Sequence, residues 1–544
     1  MKTKRFFIVL AVLVAVALIA TSTALAAGAF KAEPKVKILV QGAPIHGSNG
    51  LFYAPDGNLY VASTPGGEIV VLNPKSGAII RRIGYDQGVA TPDDVFVTAD
   101  GSIYWTAIMS GEVAKLSPDG VKTVIASGLP GVNPITFSDD GRLFVARDFW
   151  GAGLYEMDPN GINPPRPILP DLANLNGFDF GPDGWLYGPI IGGPVVRIHV
   201  DTAEMQTVSQ FSGSAVKFNS QGQLYGVSHI SGEVARIDVA SGDFEVLAII
   251  QEGGDNLTFS PDDRLFVSVG ESGAVVEVKP GGKIRTVSRG GLMYPMGLAV
   301  QADAKGFDRV YVADFWTIRQ FNGKSGKMLD VTRAPMGSAL VPPMTMAADG
   351  ENFIISSFLA DAVQIWNPET KTVLESFPLP NKPLNAIRFQ GDLLVAELMT
   401  GQVVRLNPAG NILVGQFYLP TGMAASADDL WVADFAAGII YAVVVDGVTL
   451  AQPTPVASGL AGPEGVALDQ DGNLLVVETV AGRLSKVDLA TGVVNVVAEG
   501  LLFHQPLPTD PPIGFFNGVA VGPSGTIYVT GDQNNVLYSI KSKK

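Results

Sequence analysis

One pattern recurs along this chain from Asn49 to the C-terminus, and it constrains the fold more than any other feature. A short apolar strand is followed by a turn of the Pro-Asp-Gly type, a strand such as Leu-Tyr-Val-Ala, a small turn, and a third strand such as Val-Val-Arg-Leu. The first copy runs Asn49-Gly50-Leu51-Phe52-Tyr53-Ala54-Pro55-Asp56-Gly57-Asn58-Leu59-Tyr60-Val61-Ala62. A late copy runs Glu464-Gly465-Val466-Ala467-Leu468-Asp469-Gln470-Asp471-Gly472-Asn473-Leu474-Leu475. The first turn of each copy falls at Gly57, Gly101, Gly141, Gly184, Gly222, Asp263, Gly306, Gly350, Gly391, Asp429, Gly472 and Gly525.

A period of about 40 residues with four short strands per unit is the signature of β-propeller blades. The 63 glycines and 37 prolines supply tight turns, and helix-period runs are nearly absent, so the chain is all-β. Twelve blades exceed the usual ring of about four to eight, so two tandem six-bladed β-propellers are expected. The segment 36–40 is a lone strand ahead of the first blade, and the twelfth blade stops at its third strand, 536–540. The expectation is that each ring is closed by an N-terminal outer strand: 36–40 completes the sixth blade and 283–287 the twelfth. The domains are then 27–280 and 281–544, joined at Pro280-Gly281-Gly282. The Pro-rich stretch 501–512 lengthens the last repeat and reads as a surface loop.

Residues 1–26 stand apart. Lys2, Lys4 and Arg5 precede an apolar run from Phe6 to Ala20, and Ala24-Leu25-Ala26 offers small residues for cleavage. This reads as a signal peptide of a secreted or periplasmic protein, with an uncleaved anchor as the alternative; no membrane span is expected after cleavage. Removal takes three cations and no acid from a chain already at −15. Such a surface repels phosphate backbones, so nucleic acid is not an expected partner. Cysteine is absent, which excludes disulfides, thiol catalysis and thiolate metal sites.

In propeller blades the start of each inner strand faces the central channel. Eight places before each turn, or at the equivalent strand start, the first ring carries Asn49, Asp93, Asn133, Asn176, Ser214 and Asp255, with Asn256 directly following. The second carries Met296, Pro342, Asn385, Thr421, Glu464 and Asn517. Oxygen-only ligands converging on one axis suit a hard divalent cation, Ca²⁺ above all. The plainer reading is that each Asn or Asp bonds its own backbone in an Asx-turn. The metal candidates are Asn49, Asp93, Asn133, Asn176, Asp255 and Asn256, with Asn385, Glu464 and Asn517 in the second ring. His46 and His504 are candidate general bases; His229 lies in a top-face turn, and His199 reads as structural. Acids that end second strands (Asp148, Asp314, Glu397, Asp434, Glu478 and Asp532) read mostly as turn chemistry. Phe149-Trp150 and Phe315-Trp316 follow two of them and read as packing or as pocket wall.

The blade starts Asn176-Gly177-Phe178-Asp179-Phe180-Gly181-Pro182-Asp183-Gly184 and Pro463-Glu464-Gly465-Val466-Ala467-Leu468-Asp469 resemble those of the gluconolactonase, or senescence-marker-protein, family. Related paraoxonases carry an adjacent Asp-Asn pair, which Asp255-Asn256 resembles. The resemblance implies a six-bladed propeller with a divalent cation at the channel mouth and hydrolysis of lactones or esters. The first ring departs from it in having no glutamate among these positions, and Glu464 lies in the other ring. The short motifs are shared with NHL-repeat scaffolds, which bind a protein or glycan partner, and with streptogramin lyases. A non-catalytic binding platform and a lyase therefore stay open. Serine-elbow, zincin, P-loop and dinucleotide motifs are missing.

Overall fold

The repeating turn builds its own hairpin. Gly57 adopts a φ of 83° and donates its N–H to Ala54, while the Asp56 carboxylate accepts from the Asn58 amide at 3.0 Å and the Tyr60 hydroxyl at 3.1 Å. Positive φ costs glycine little, so the chain reverses there and delivers strand Leu59–Ser63 beside Leu51–Tyr53. The computed structural model describes residues 35–334, 338–504 and 514–541. The expected signal peptide and most of the Pro-rich loop lie outside the described residues.

The described strands form twelve four-stranded antiparallel sheets. Second strands such as Leu59–Ser63 and Leu265–Val269 are buried throughout, whereas outer strands such as Ile79–Ile83 are exposed along most of their length. Apolar side chains fill the space between successive sheets. Trp105 and Ala114 of the second sheet meet Ala62 and Val71 of the first. Phe266 and Val275 of the sixth sheet pack with Leu51, Leu59 and Val70 of the first, which brings the last sheet of this unit against its first. The chain divides into two compact units, Ala43–Met293 and a second made of Met1–Gly42 with Tyr294–Lys544. In the second, Asp308 accepts from the Tyr528 hydroxyl at 2.8 Å, and the Thr530 hydroxyl donates to the Met296 carbonyl at 2.5 Å. Each unit thus has the six radial sheets of a β-propeller.

The seams differ from expectation. Strand Lys35–Gln41 pairs with Val536–Lys541, with Lys35 opposite Lys541 and Gln41 opposite Val536, and completes the twelfth blade rather than the sixth. The sixth blade has its own outer strand, Ile284–Ser288, paired with Ala274–Val278. The expected joint at 280–282 is a hairpin turn inside that blade, where Gly281 and Gly282 have φ of 78° and 77°. The physical reason is loop closure: a three-residue turn pairs 284–288 with its neighbour at little entropic cost. The blade left short is the last, where the chain ends.

Candidate functional site

Three inner strands of the N-terminal unit begin with an irregular register, and each irregularity falls on candidate ligands. The shifts lie between Pro92 and Asp94, between Val132 and Ile135, and between Gly254 and Leu257. A bulge re-aims side chains away from strict alternation, which lets Asp93, Asn133 and Asp255 leave the inter-sheet core.

The resulting cluster is mostly buried. Asp93 accepts a hydrogen bond from the Thr64 hydroxyl at 2.9 Å. Burial pushes its carboxyl well above the usual range, and the Asp255 carboxylate adds to the rise. Asp255 is pushed up to about 6 by burial; Glu271 adds to the rise, while His229 and a hydrogen bond with Asn49 oppose it. Asp148 is fully buried, and Asn133 Nδ2 donates to its Oδ2 at 2.9 Å. Burial and then Asp93 drive the Asp148 carboxyl well up, and its Oδ1 has no hydrogen-bond partner among the described residues. Behind these lies Asp94, pushed up to about 6 by burial although it accepts from Ile135 N at 3.1 Å and Val95 N at 2.9 Å. Asn256 Nδ2 reaches Asp94 Oδ1 at 3.4 Å.

The structure therefore links Asn49, Asp93, Asn133 and Asp255, with Asn256 joined through Asp94. Asn176 behaves as the plainer reading expects, its amide oxygen accepting from the next backbone N–H, of Gly177, at 2.8 Å. The Ser214 hydroxyl donates to the Gly254 carbonyl at 2.9 Å. Among the described residues, no group of three or more His, Asp and Glu side chains is placed to hold a metal ion, so any cation here must draw on asparagine oxygens as well.

The histidines divide. His46 is buried 3.8 Å from Glu68, which also pairs with Arg82. His229 is the imidazole whose charge bears on Asp255, and its Nε2 lies 2.9 Å from Glu271 Oε1. His199 packs edge-on against Trp185 at 5.2 Å, a structural role.

Sequence reasoning missed Asp94, Asp148 and Glu271. Asp93-Asp94 occupies the same place in its blade as Asp255-Asn256, a parallel that was open to view. Asp148 was grouped with the turn acids. Its counterparts do bond loop backbone or nearby cations: Asp434 accepts from Tyr418 N at 2.8 Å and Glu478 pairs with Arg483 at 2.8 Å. Asp148 departs from them only in three dimensions. Nothing local marks Glu271.

In the C-terminal unit Glu464 Oε2 accepts from the Asn517 backbone at 2.6 Å and side chain at 3.2 Å. Burial, with Asp532 adding, drives the Glu464 carboxyl well above its usual range. Asn517 Oδ1 accepts from Asp532 N at 3.1 Å, and His504 lies 3.4 Å from Asp532 while stacking on Tyr294. Asn385 lines a cavity of about 240 Å³ with Leu298, Met346, Ile387, Met423 and Phe516, and none of the described residues that line it is acidic, unlike the cluster of the other unit.

No protein-family model matches the chain. A gluconolactonase from Zymomonas mobilis is 25% identical over 199 residues, covering 27% of this chain and 55% of that protein, so the chain spans about half the length of the curated relative it matches. Among solved structures, a gluconolactonase from Xanthomonas campestris is 16% identical with a TM-score of 0.36, over 44% of this chain and 87% of that one. The extracellular domain of a proposed hybrid two component system from B. thetaiotaomicron is 12% identical with a TM-score of 0.33, over 93% and 83%. With its twelve four-stranded sheets, the chain is a β-propeller protein, and part of its sequence is similar to that of the Zymomonas gluconolactonase.

Proposed function

We propose that the N-terminal propeller of this protein is a divalent-cation-dependent hydrolase of lactones or esters that works outside the cytoplasm. The observation that carries the reading is the set Asp93, Asp148 and Asp255 with Asn49 and Asn133, in which the buried Asp148 Oδ1 has no hydrogen-bond partner among the described residues. Carboxylates raised by burial, Asp93 and Asp148 further by an acidic neighbour, are held at a cost that a cation would offset. The donors are all oxygen, which fits Ca²⁺ better than a softer ion. Asp93 and Asp255, with the amide oxygens of Asn49 and Asn133, would hold it, and Asp148 would aim the Asn133 amide through its bond to Nδ2. A bound Ca²⁺ supplies Lewis-acid polarisation of a carbonyl oxygen. His229 is fixed through Nε2 by Glu271, and Thr64 orients the Asp93 carboxyl. An extracytoplasmic setting is supported by the basic and apolar N-terminal segment.

The test is metal analysis of purified protein followed by a lactone and aryl-ester screen with and without chelator. Turnover that is lost on chelation and restored by Ca²⁺ is expected. Turnover unchanged after complete metal removal would overturn the mechanism.

A further inference from the structure

Two loops of this protein carry the same three residues with the phenylalanine at positive φ, but one is a two-residue turn between paired Asp314 and Thr317 and the other opens a longer loop, 148–153, and their aromatics are used differently. In the C-terminal unit, Asp314-Phe315-Trp316 turns with Phe315 at a φ of 56°. Phe315 is buried edge-on against Tyr294 at 5.7 Å and touches Trp316 at 4.7 Å, while Asp314 pairs with Arg319 at 2.5 Å. In the N-terminal unit, Asp148-Phe149-Trp150 turns with Phe149 at 50°. Here Phe149 and Trp150 are 50% and 52% exposed. Their rings lie 6.5 Å apart. A bulky residue at positive φ is strained, and strained residues cluster where a loop serves a ligand.

The exposed aromatics are not alone on that face. Ile230, 55% exposed, directly follows His229, and Tyr85, 47% exposed, lies in the short 3-10 turn of the loop that leads into Asp93. Each of these loops therefore pairs a large exposed apolar side chain with a member or neighbour of the buried polar cluster. An apolar rim over a floor with a few polar groups is the usual composition of a small-molecule site. Aromatic side chains offer flat area at little conformational cost, so they select a partner with a flat face of its own.

We infer that Phe149 and Trp150, with Ile230 and Tyr85, form the specificity wall of the site, and that they favour a lactone or ester bearing a flat apolar ring over a saturated or polyhydroxylated one. The inference rests on the hydrolase reading for the reaction but not for the contact itself.

The test uses the full chain as wild type, Trp150→Ala, and the control Met205→Ala, an exposed residue of an outer strand. The probes are dihydrocoumarin, a lactone fused to a benzene ring, and δ-valerolactone, the same lactone ring without it. Trp150→Ala is expected to raise KM for dihydrocoumarin by roughly three- to tenfold, with kcat and all δ-valerolactone constants within about twofold. Equal effects on both probes, or none, would overturn the wall. Should neither probe be turned over, binding of dihydrocoumarin is read by equilibrium dialysis. Weaker binding to Trp150→Ala alone then supports the wall while the hydrolase reading fails, and no binding to wild type overturns the wall. Sedimentation velocity closes the test: wild-type self-association that Trp150→Ala abolishes would mean a second copy covers the rim, and the inference would fall.

Discussion

Asp93, Asp148 and Asp255 sit where burial disfavours charge; Asp255 raises Asp93 further, and Asp93 and Asp255 raise Asp148 further. Such a cluster costs stability until a cation neutralises it, as functional groups commonly do. Asp148→Asn keeps an oxygen that can accept the Asn133 bond and removes the charge. In chelator it should therefore stabilise the N-terminal unit, by about 1 kcal/mol, read as a higher melting temperature in calorimetry. With Ca²⁺ the order should reverse, because a ligand at a hundredfold excess over Kd adds about 2.7 kcal/mol to a protein that binds it. Asp255→Ala should likewise lose its calcium shift. Asp469→Ala should keep it, since Asp469 is held in a remote turn by Lys486 at 2.9 Å and Asn473 N at 2.8 Å. Equal shifts in all variants would remove the first-unit site. A different residue gives the pH dependence. The Arg142 guanidinium, with Arg166, holds Glu156 down to about 2 from 4.5. A depressed carboxylate stabilises the fold above its unfolded pKa and loses that contribution as pH falls through the folded one. Glu156→Gln should therefore cost roughly 1–2 kcal/mol at pH 7 after solvent screening, and its deficit against wild type should vanish near pH 2 in urea titrations.

At the scale of elements, the hairpin turn and the bulge share the work. The turn fixes register: Gly57 lies at a φ of 83°, and a methyl group added there would meet no atom nearer than 4.0 Å, so Gly57→Ala tests backbone strain without a clash. It should destabilise the N-terminal unit by about 1 kcal/mol in denaturant melts, and a neutral result would mean that the turn relaxes. The bulge sets direction. Where it occurs, as between Gly254 and Leu257, a ligand candidate leaves the alternating pattern. The same irregularity spans Glu464 between Pro463 and Val466, so both units use it. Similar bulges carry different side chains, which is how similar blades present Asp255 in one unit and Glu464 in the other.

For the whole molecule the seam is the informative feature. Strand Lys35–Gln41 belongs to the same unit as Val536–Lys541, so deleting residues 27–41 should leave the twelfth blade one strand short. Calorimetry should show an early transition for the C-terminal unit and an unshifted one for Ala43–Met293, whose six sheets are each built from contiguous chain. Loss of the other transition would refute the pairing. The sequence by itself determined the blades, their number and the mouth positions, because turn glycines and apolar strands act locally and repeat. It also pointed to Asp93, Asn133 and Asp255, since their place in the repeat is enough to find them. Tertiary structure alone decided which end of the chain closes which unit, because strand pairing between residues 36 and 540 has no local signature and competes with a cheap hairpin at 280–282. It also separated Asp148 from five look-alike acids, and Asn176 from the other asparagines. Whether a buried oxygen finds a backbone N–H depends on what the neighbouring blade brings to it, and that is fixed only when the sheets pack.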